Sequence, residues 1–477
     1  MDQTKTPLYD ALVHHWARRP VSFHVPGHKY GALFSKRGRD MFAPLLALDA
    51  TEISGLDDLH QPESVIAEAQ ALAAELYGVR ETFFLVNGST AGNLAMIAAV
   101  CDGKRKKVIV QRNCHKSVMH ALQLMEATPV LLAPEFDRDV CVASHIRPEA
   151  VKEALALYDD VAAVVLTNPN YYGMAADLTE IVRLVHEHGI PVLVDEAHGA
   201  HFVVGPPFPT SALRYGADVV VQSAHKTLPA MTMGAFLHVN SERVDLERLK
   251  YFLQLFQSSS PSYPIMASLD LARSYVAQLS KSDAAAIVAE IEKFKAALAD
   301  IDGVAVVCSR HFGVQTDPLK VTVQTRCSLT GYELQRWLER EGVFVELADR
   351  MNVLFVCPLA VTGRLQEAAE KIKRAWRDLP DGEAPVCDAS PFLGPLLSVL
   401  VPYNELRHLR TKAVALEEAE GHIAAETVIP YPPGVPLVWV GERIGSGHIE
   451  QIRQLLCQRA HIQGGSRLKD GQLVVYE

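Results

Sequence analysis

Ala217-Asp-Val-Val-Val-Gln222, followed at once by Ser223-Ala-His-Lys226, is the stretch on which the fold turns. A short apolar run closed by polar residues reads as a strand buried on both faces. Thr227-Leu-Pro-Ala-Met-Thr-Met-Gly234 then reads as a loop punctuated by Pro and Gly. A lysine held at such a strand end, with a serine and a histidine beside it, suits an amine that must be pinned and desolvated. In that state lysine forms a Schiff base well. A lysine at a strand end is otherwise an ordinary solvent-facing charge, so these four residues decide nothing alone.

Upstream the same pattern repeats. Residues 63–77 read as a helix with Ala67, Ala71, Leu72 and Leu76 on one face. Glu81-Thr-Phe-Phe-Leu-Val86 reads as a strand, then come the turn Asn87-Gly-Ser-Thr-Ala-Gly-Asn93 and an apolar helix to Val100. Further strands are expected at 108–110, 130–132, 162–166 and 191–194, with helices at 116–125, 148–158 and 178–188. This alternation predicts an α/β fold with a mostly parallel sheet covered on both sides, and ligands beyond the carboxyl ends of its strands. Polar groups fall at those ends: Ser89-Thr90, Asn113 to His115, Thr167 to Tyr172, Asp195 to His198, and Ser223 to Lys226. The turn at 87–93 lacks GxGxxG and GxxxxGK spacing, so a phosphate monoester held by Ser89, Thr90 and backbone N–H groups fits better than a dinucleotide.

The remaining chain frames this region. Residues 6–19 form a short helix, and Val21-Ser-Phe-His-Val-Pro-Gly-His-Lys29 a turn. Glu52-Ile-Ser-Gly-Leu-Asp-Asp-Leu-His60 is either a solvated loop or one that closes over a cationic ligand. A polar break at 257–264 separates helical segments, and a smaller α/β unit follows residue 300. Residues 380–394 look like a linker, 403–418 an amphipathic helix, and the prolines of 430–436 a rigid rim. The expected division is an N-terminal segment and active-site loop at 1–60, a large domain at 61–300, a small α/β domain at 301–380 and a C-terminal domain at 381–477.

At 477 residues the chain exceeds one ordinary core. A net charge of −10 with no basic block argues against a nucleic-acid partner. No apolar stretch is long enough for a membrane span, and residues 1–10 lack a signal-peptide core, so a cytoplasmic protein is expected. The eight cysteines form no CxxC pair, which predicts neither a metal site nor a disulfide framework, only reduced thiols.

Pyridoxal 5'-phosphate is the commonest cofactor to use a Schiff-base lysine, and it makes four demands. An acid must face the pyridine nitrogen, a flat group must stack on the ring, donors must hold the phosphate, and a lysine must carry the aldehyde. Asp195, His115 or His198, Ser89-Thr90 with Ser223, and Lys226 supply all of them. The chain also resembles the fold-type-I Orn/Lys/Arg decarboxylase family. The segments that carry the likeness are Phe23-His-Val-Pro-Gly-His28, Gly55-Leu-Asp-Asp-Leu59, Asn87-Gly-Ser-Thr90, Asn113-Cys-His-Lys-Ser117, Asp195-Glu-Ala-His198, Ser223-Ala-His-Lys226 and Ile429-Pro-Tyr-Pro-Pro-Gly434. The resemblance implies a fold-type-I, transferase-like large domain with Lys226 as the Schiff-base lysine, His115 stacked on the ring and Asp195 at the pyridine nitrogen. It further implies Ser89, Thr90 and Ser223 on the phosphate, and His198 and His225 lining the ring. A homodimer, or an assembly of dimers, with active sites at the interface is implied too. The His-Val-Pro-Gly-His segment starts at residue 24, so the chain looks like the short form that lacks a receiver-like wing domain.

The implied substrate is a small basic amino acid. Glu52, Asp57, Asp58 and Glu426 are the candidates for reading its distal cation. A fork-shaped guanidinium asks for several carboxylates, which tilts the reading to arginine over lysine or ornithine. An aminotransferase would use the same cofactor residues but would want an arginine for the substrate carboxylate. The arginines near the strand ends are Arg112 and Arg214. A binding protein that merely retained the fold would be expected to lack the lysine or its acid, and both are present.

Overall fold

The computed structural model describes residues 1–387, 397–430, 435–457 and 460–477. The Tyr431–Gly434 part of the expected proline rim, and 388–394 of the expected linker, lie outside the described residues. Two compact units result: Met1–Val100 with Leu193–Pro206 and Thr210–Lys281, and Cys101–Val192 with Pro207–Pro209 and Ser282–Glu477.

In the first unit four strands run in the order Glu81–Leu85, Ala235–Val239, Val219–Gln222, Val192–Asp195. Val192–Asp195 and Val219–Gln222 are parallel. Ala235–Val239 is antiparallel to both of its neighbours. This last strand is an addition to the expected sheet; all five of its residues are buried, His238 among them. Helix Gly88–Val100 is buried nearly all round, as its run of Ala, Met and Ile dictates. It approaches the sheet so closely that a Cβ on Gly92 would lie 2.5 Å from Val221 Cγ2 and 2.8 Å from Leu85 Cδ1. Only glycine fits there.

Helix Tyr263–Ala277 ties down the N-terminus of the chain. Its fully buried Asp270 accepts the Leu8 N–H at 3.0 Å, and Arg273 donates to Asp270 at 2.7 Å and to the Gln3 carbonyl at 2.6 Å. Helix Pro7–Ala17 is thereby fixed at its start, where unpaired N–H groups favour an acid. Helix Arg39–Leu48 precedes the Glu52–His60 loop.

In the second unit Val161–Thr167, Lys107–Gln111 and Thr128–Leu132 are parallel neighbours, and Leu397–Val399 adds antiparallel to the last. Val161–Leu166 is buried throughout, the mark of a strand covered on both faces. A separate antiparallel sheet orders Val304–Val307, Lys320–Thr325, Asn352–Val356 and Leu347–Ala348, with helices Gly331–Arg340 and Leu365–Ala375 following its strands. The edge strand Leu347–Ala348 is two residues long.

The helix expected at 403–418 does not form. Tyr403–Leu406 makes one turn, and Thr411–Ala415 is a strand paired antiparallel with Gln472–Tyr476. That pairing lets Leu416, Val428, Ile452, Leu473 and Val475 share one core cluster. The expectation of reduced cysteines is also corrected at one pair. Cys141 and Cys387 form a disulfide with Cα atoms 5.9 Å apart at a sequence separation of 246, a pairing that spacing alone could not reveal.

Candidate active site

The first unit gathers most of the expected residues at its strand ends. Asp195 closes its strand and is 3% exposed. Its carboxylate accepts the Asn93 side-chain amide at 2.8 Å on one oxygen and the Ala197 N–H at 3.1 Å on the other. Asn93 comes from the second turn of the Gly88–Val100 helix, so helix and strand fix the acid together. Sequence reasoning assigns Asn93 no role. Its one signal is a polar residue on the buried face of an otherwise apolar helix.

Lys226 sits on the single helical turn Ala224–Thr227 that follows Val219–Gln222. Its Nζ lies 3.2 Å from His198 Nε2, which joins the Asp195–His198 segment to the lysine. His225 places Nδ1 3.0 Å from the Gly234 carbonyl and points its backbone N–H at the same oxygen. Ser223 is fully buried and its hydroxyl donates to Ser89 Oγ at 2.8 Å, at the start of the Gly88–Val100 helix. Thr90 is exposed on that first turn. A helix start beside two hydroxyls is an arrangement suited to an anion.

A buried acid with donors on both oxygens, an amine against an imidazole, and paired hydroxyls at a helix start match the three polar ends of pyridoxal phosphate. The donor set fits the cofactor. Bound there, pyridoxal phosphate supplies an electron sink for the bonds at the substrate's α-carbon.

His115 lies in the second unit. It caps helix Lys116–Leu124, its Nδ1 accepting the Ser117 N–H and lying 2.8 Å from Ser117 Oγ. Arg112, a candidate for holding a substrate carboxylate, is committed elsewhere. Its guanidinium donates to both oxygens of Glu442, at 2.6 and 2.9 Å, and to the Leu437 carbonyl at 3.0 Å. Both side chains are buried. Glu442→Gln should therefore strand a buried cation and lower stability by about 3 kcal/mol, measured by denaturant unfolding. Arg214 is exposed.

The four acids expected to read a distal cation fare differently. Asp57 accepts the backbone N–H groups of Glu63, Ser64, Ile66 and Ala67, which caps the following helix. Its carboxyl is held below the usual range: burial opposes the charge, but these N–H groups outweigh it. Glu426 accepts from Ser466 N at 2.7 Å and Val474 N at 3.2 Å. Asp58 is half-buried with one oxygen on His60 N at 2.9 Å, and Glu52 is exposed. Burial, then the charges of Glu52, Asp58 and Asp57, raise the Tyr263 hydroxyl above its ordinary value, so these acids share one neighbourhood.

The geometry defines a fold-type-I pyridoxal-phosphate enzyme. The chain belongs to the Orn/Lys/Arg decarboxylase family, whose major-domain model matches residues 6–314 and whose C-terminal-domain model matches residues 395–463. A Bacillus subtilis protein named "Uncharacterized protein YaaO" is 48% identical over 99% of this chain and 98% of its own length. The arginine decarboxylase of Bacillus subtilis is 35% identical over 97% of this chain and 96% of its own. Lysine decarboxylase A from Pseudomonas aeruginosa shares the fold, with a TM-score of 0.79 at 22% identity over 95% of this chain and 76% of that one.

Proposed function

We propose that the chain removes the α-carboxyl group of arginine, giving agmatine and CO₂. The observation that carries the choice of arginine is near-full-length likeness to arginine decarboxylases of Bacillus species, 34–35% identical over 92–97% of this chain. The geometry supports the division of labour. Lys226 would carry the cofactor aldehyde, Asp195 would keep its ring nitrogen protonated, and Ser89, Thr90 and Ser223 would hold its phosphate. His198 Nε2, 3.2 Å from Lys226 Nζ, passes protons to and from that amine, and Lys226 returns the proton to the substrate's α-carbon. His225 borders the lysine as a lining residue.

For the distal cation we assign Glu52 and Asp58, because Asp57 and Glu426 each accept backbone N–H groups on both carboxylate oxygens, while Asp58 accepts His60 N on one. We further propose a homodimer, with His115 on the cofactor ring as the family likeness implies, acting in the cytoplasm. Among the described residues no helix is long and apolar enough to cross a membrane.

Purified protein supplied with cofactor should release CO₂ from arginine with a kcat/KM well above that for lysine or ornithine, and agmatine should be the amine formed. Cadaverine or putrescine as the main product would replace the substrate assignment while leaving the decarboxylase intact. Transfer of the amino group to a 2-oxo acid without CO₂ would overturn both.

A further inference from the structure

Between Asp195 and His198 lies a second carboxylate, Glu196, for which the reaction has no direct use. It is fully buried, and three donors converge on it. The Ala212 N–H approaches one oxygen at 2.6 Å, and the Ser211 hydroxyl and Gln222 side-chain amide approach the other at 2.7 and 2.6 Å. Burial pushes the Glu196 carboxyl up to about 7, opposed by those same three donors. Gly199 leaves the space it occupies, since a Cβ there would lie 2.6 Å from Glu196 Cγ.

The chain of contacts does not stop at Gln222. Its side-chain oxygen faces His238 Nε2 at 3.1 Å, and His238 Nδ1 faces Thr82 Oγ1 at 2.9 Å. Burial drives His238 down to about 3, so it is neutral at physiological pH, one nitrogen donating and the other accepting. The polarity then has one consistent direction. Thr82 donates to His238, His238 donates to the Gln222 oxygen, and the Gln222 amide donates to Glu196. Thr82, His238 and Gln222 belong to three adjacent strands, and Glu196 directly follows the fourth. The relay therefore crosses this four-strand block and terminates on the residue next to Asp195. At the same end the Glu196 N–H bonds the Val221 carbonyl at 2.9 Å and Ser223 N bonds the Ala197 carbonyl at 3.3 Å.

We infer that Glu196 is a positioning residue: as acceptor end of the Thr82–His238–Gln222 relay, it locks the Asp195 strand end against the strand end that carries Ser223 and Lys226. This rests on the reading of Asp195 and Lys226 as the cofactor site. A cofactor held at its ring nitrogen from one strand end and at its aldehyde from the next requires a fixed spacing between the two. Backbone bonds alone leave that spacing soft where the strands stop, and a buried polar network with all members satisfied makes it rigid.

Glu196→Gln keeps the shape but sets an amide NH₂ against the amide of Gln222. Cofactor affinity, measured by equilibrium dialysis, should fall roughly tenfold or more, the scale of one buried donor left unsatisfied. The visible band of lysine-bound cofactor should weaken with it. The exchange variant Glu196→Gln with Gln222→Glu restores a donor–acceptor match along the relay, while the Ser211 hydroxyl, which shares that Glu196 oxygen, turns to accept. The amide now at position 196 donates to the carboxylate now at position 222, and that carboxylate still accepts from His238. It should return affinity and visible band to within about threefold of the parent, an outcome that simple loss of a core residue does not allow. Unchanged affinity in Glu196→Gln overturns the inference, as does an exchange variant no better than the single one. If the single variant fails to fold, a folded exchange variant with parental affinity supports the relay and a second unfolded chain counts against it. A parent chain that takes up no cofactor removes the site itself, a failure distinct from that of the relay alone.

Discussion

Lys226→Ala should purify without the visible absorbance of lysine-bound pyridoxal phosphate once free cofactor is dialysed away, and its turnover should fall by several orders of magnitude. The lysine is the covalent tether in the proposed site, and its loss leaves only the polar ends of the pocket. Asp195, with its partners at 2.8 and 3.1 Å, and the Ser89–Ser223 hydroxyl pair remain in place. The variant should therefore still bind cofactor reversibly but lose it on dialysis. Folding should change little. The backbone of this turn is held by Lys226 N on the Ser223 carbonyl at 3.2 Å and Leu228 N on the Ala224 carbonyl at 2.8 Å, which alanine preserves. The side chain is only partly buried, so its truncation belongs with substitutions of small thermodynamic effect. A visible band that survives dialysis would place the tether on another lysine.

How far such a site is legible beforehand depends on whether its parts are local. Val219–Gln222 and Val161–Thr167 announce themselves as strands because continuous apolar runs suit a sheet buried on both faces. Lys226 follows because it lies just past Val219–Gln222, and Asp195 because it closes the apolar run Val192–Asp195. Ala235–Val239 is harder: it follows the Pro- and Gly-bearing loop without an alternating pattern, and it carries His238. That histidine is tolerated in the core only because Thr82 and Gln222 meet its two nitrogens from neighbouring strands. Thr411–Ala415 escapes a local reading for a related reason, since its partner strand lies some sixty residues further on at Gln472–Tyr476 and a local window sees only helical spacing. The acids show the same limit. Asp57 and Asp58 are neighbours of identical type, yet the backbone of the following helix claims Asp57 and leaves Asp58 half-buried near Tyr263.

Asp195→Asn is the sharper test of the chemistry, because it removes a charge while nearly preserving a shape. Both carboxylate oxygens of Asp195 accept from donors, the Asn93 amide on one side and the Ala197 N–H on the other. An asparagine can present oxygen to one of them and must turn its own NH₂ toward the other, so one buried donor loses its acceptor. That mismatch costs about 1–3 kcal/mol and should appear as a lower melting midpoint and moderately weaker cofactor binding. The effect on turnover should be far larger. A buried carboxylate that keeps a ring nitrogen protonated acts most strongly when charge flows toward that nitrogen, so its removal raises the barrier more than it weakens binding. The expected result is a fall in kcat of about a thousandfold or more, the upper scale for loss of one preorganised electrostatic group, with KM for arginine changed little. Near-full activity in a folded, cofactor-loaded Asp195→Asn chain would move the ring-nitrogen assignment to another acid. A fall confined to KM would mean that the carboxylate binds substrate instead of shaping the barrier.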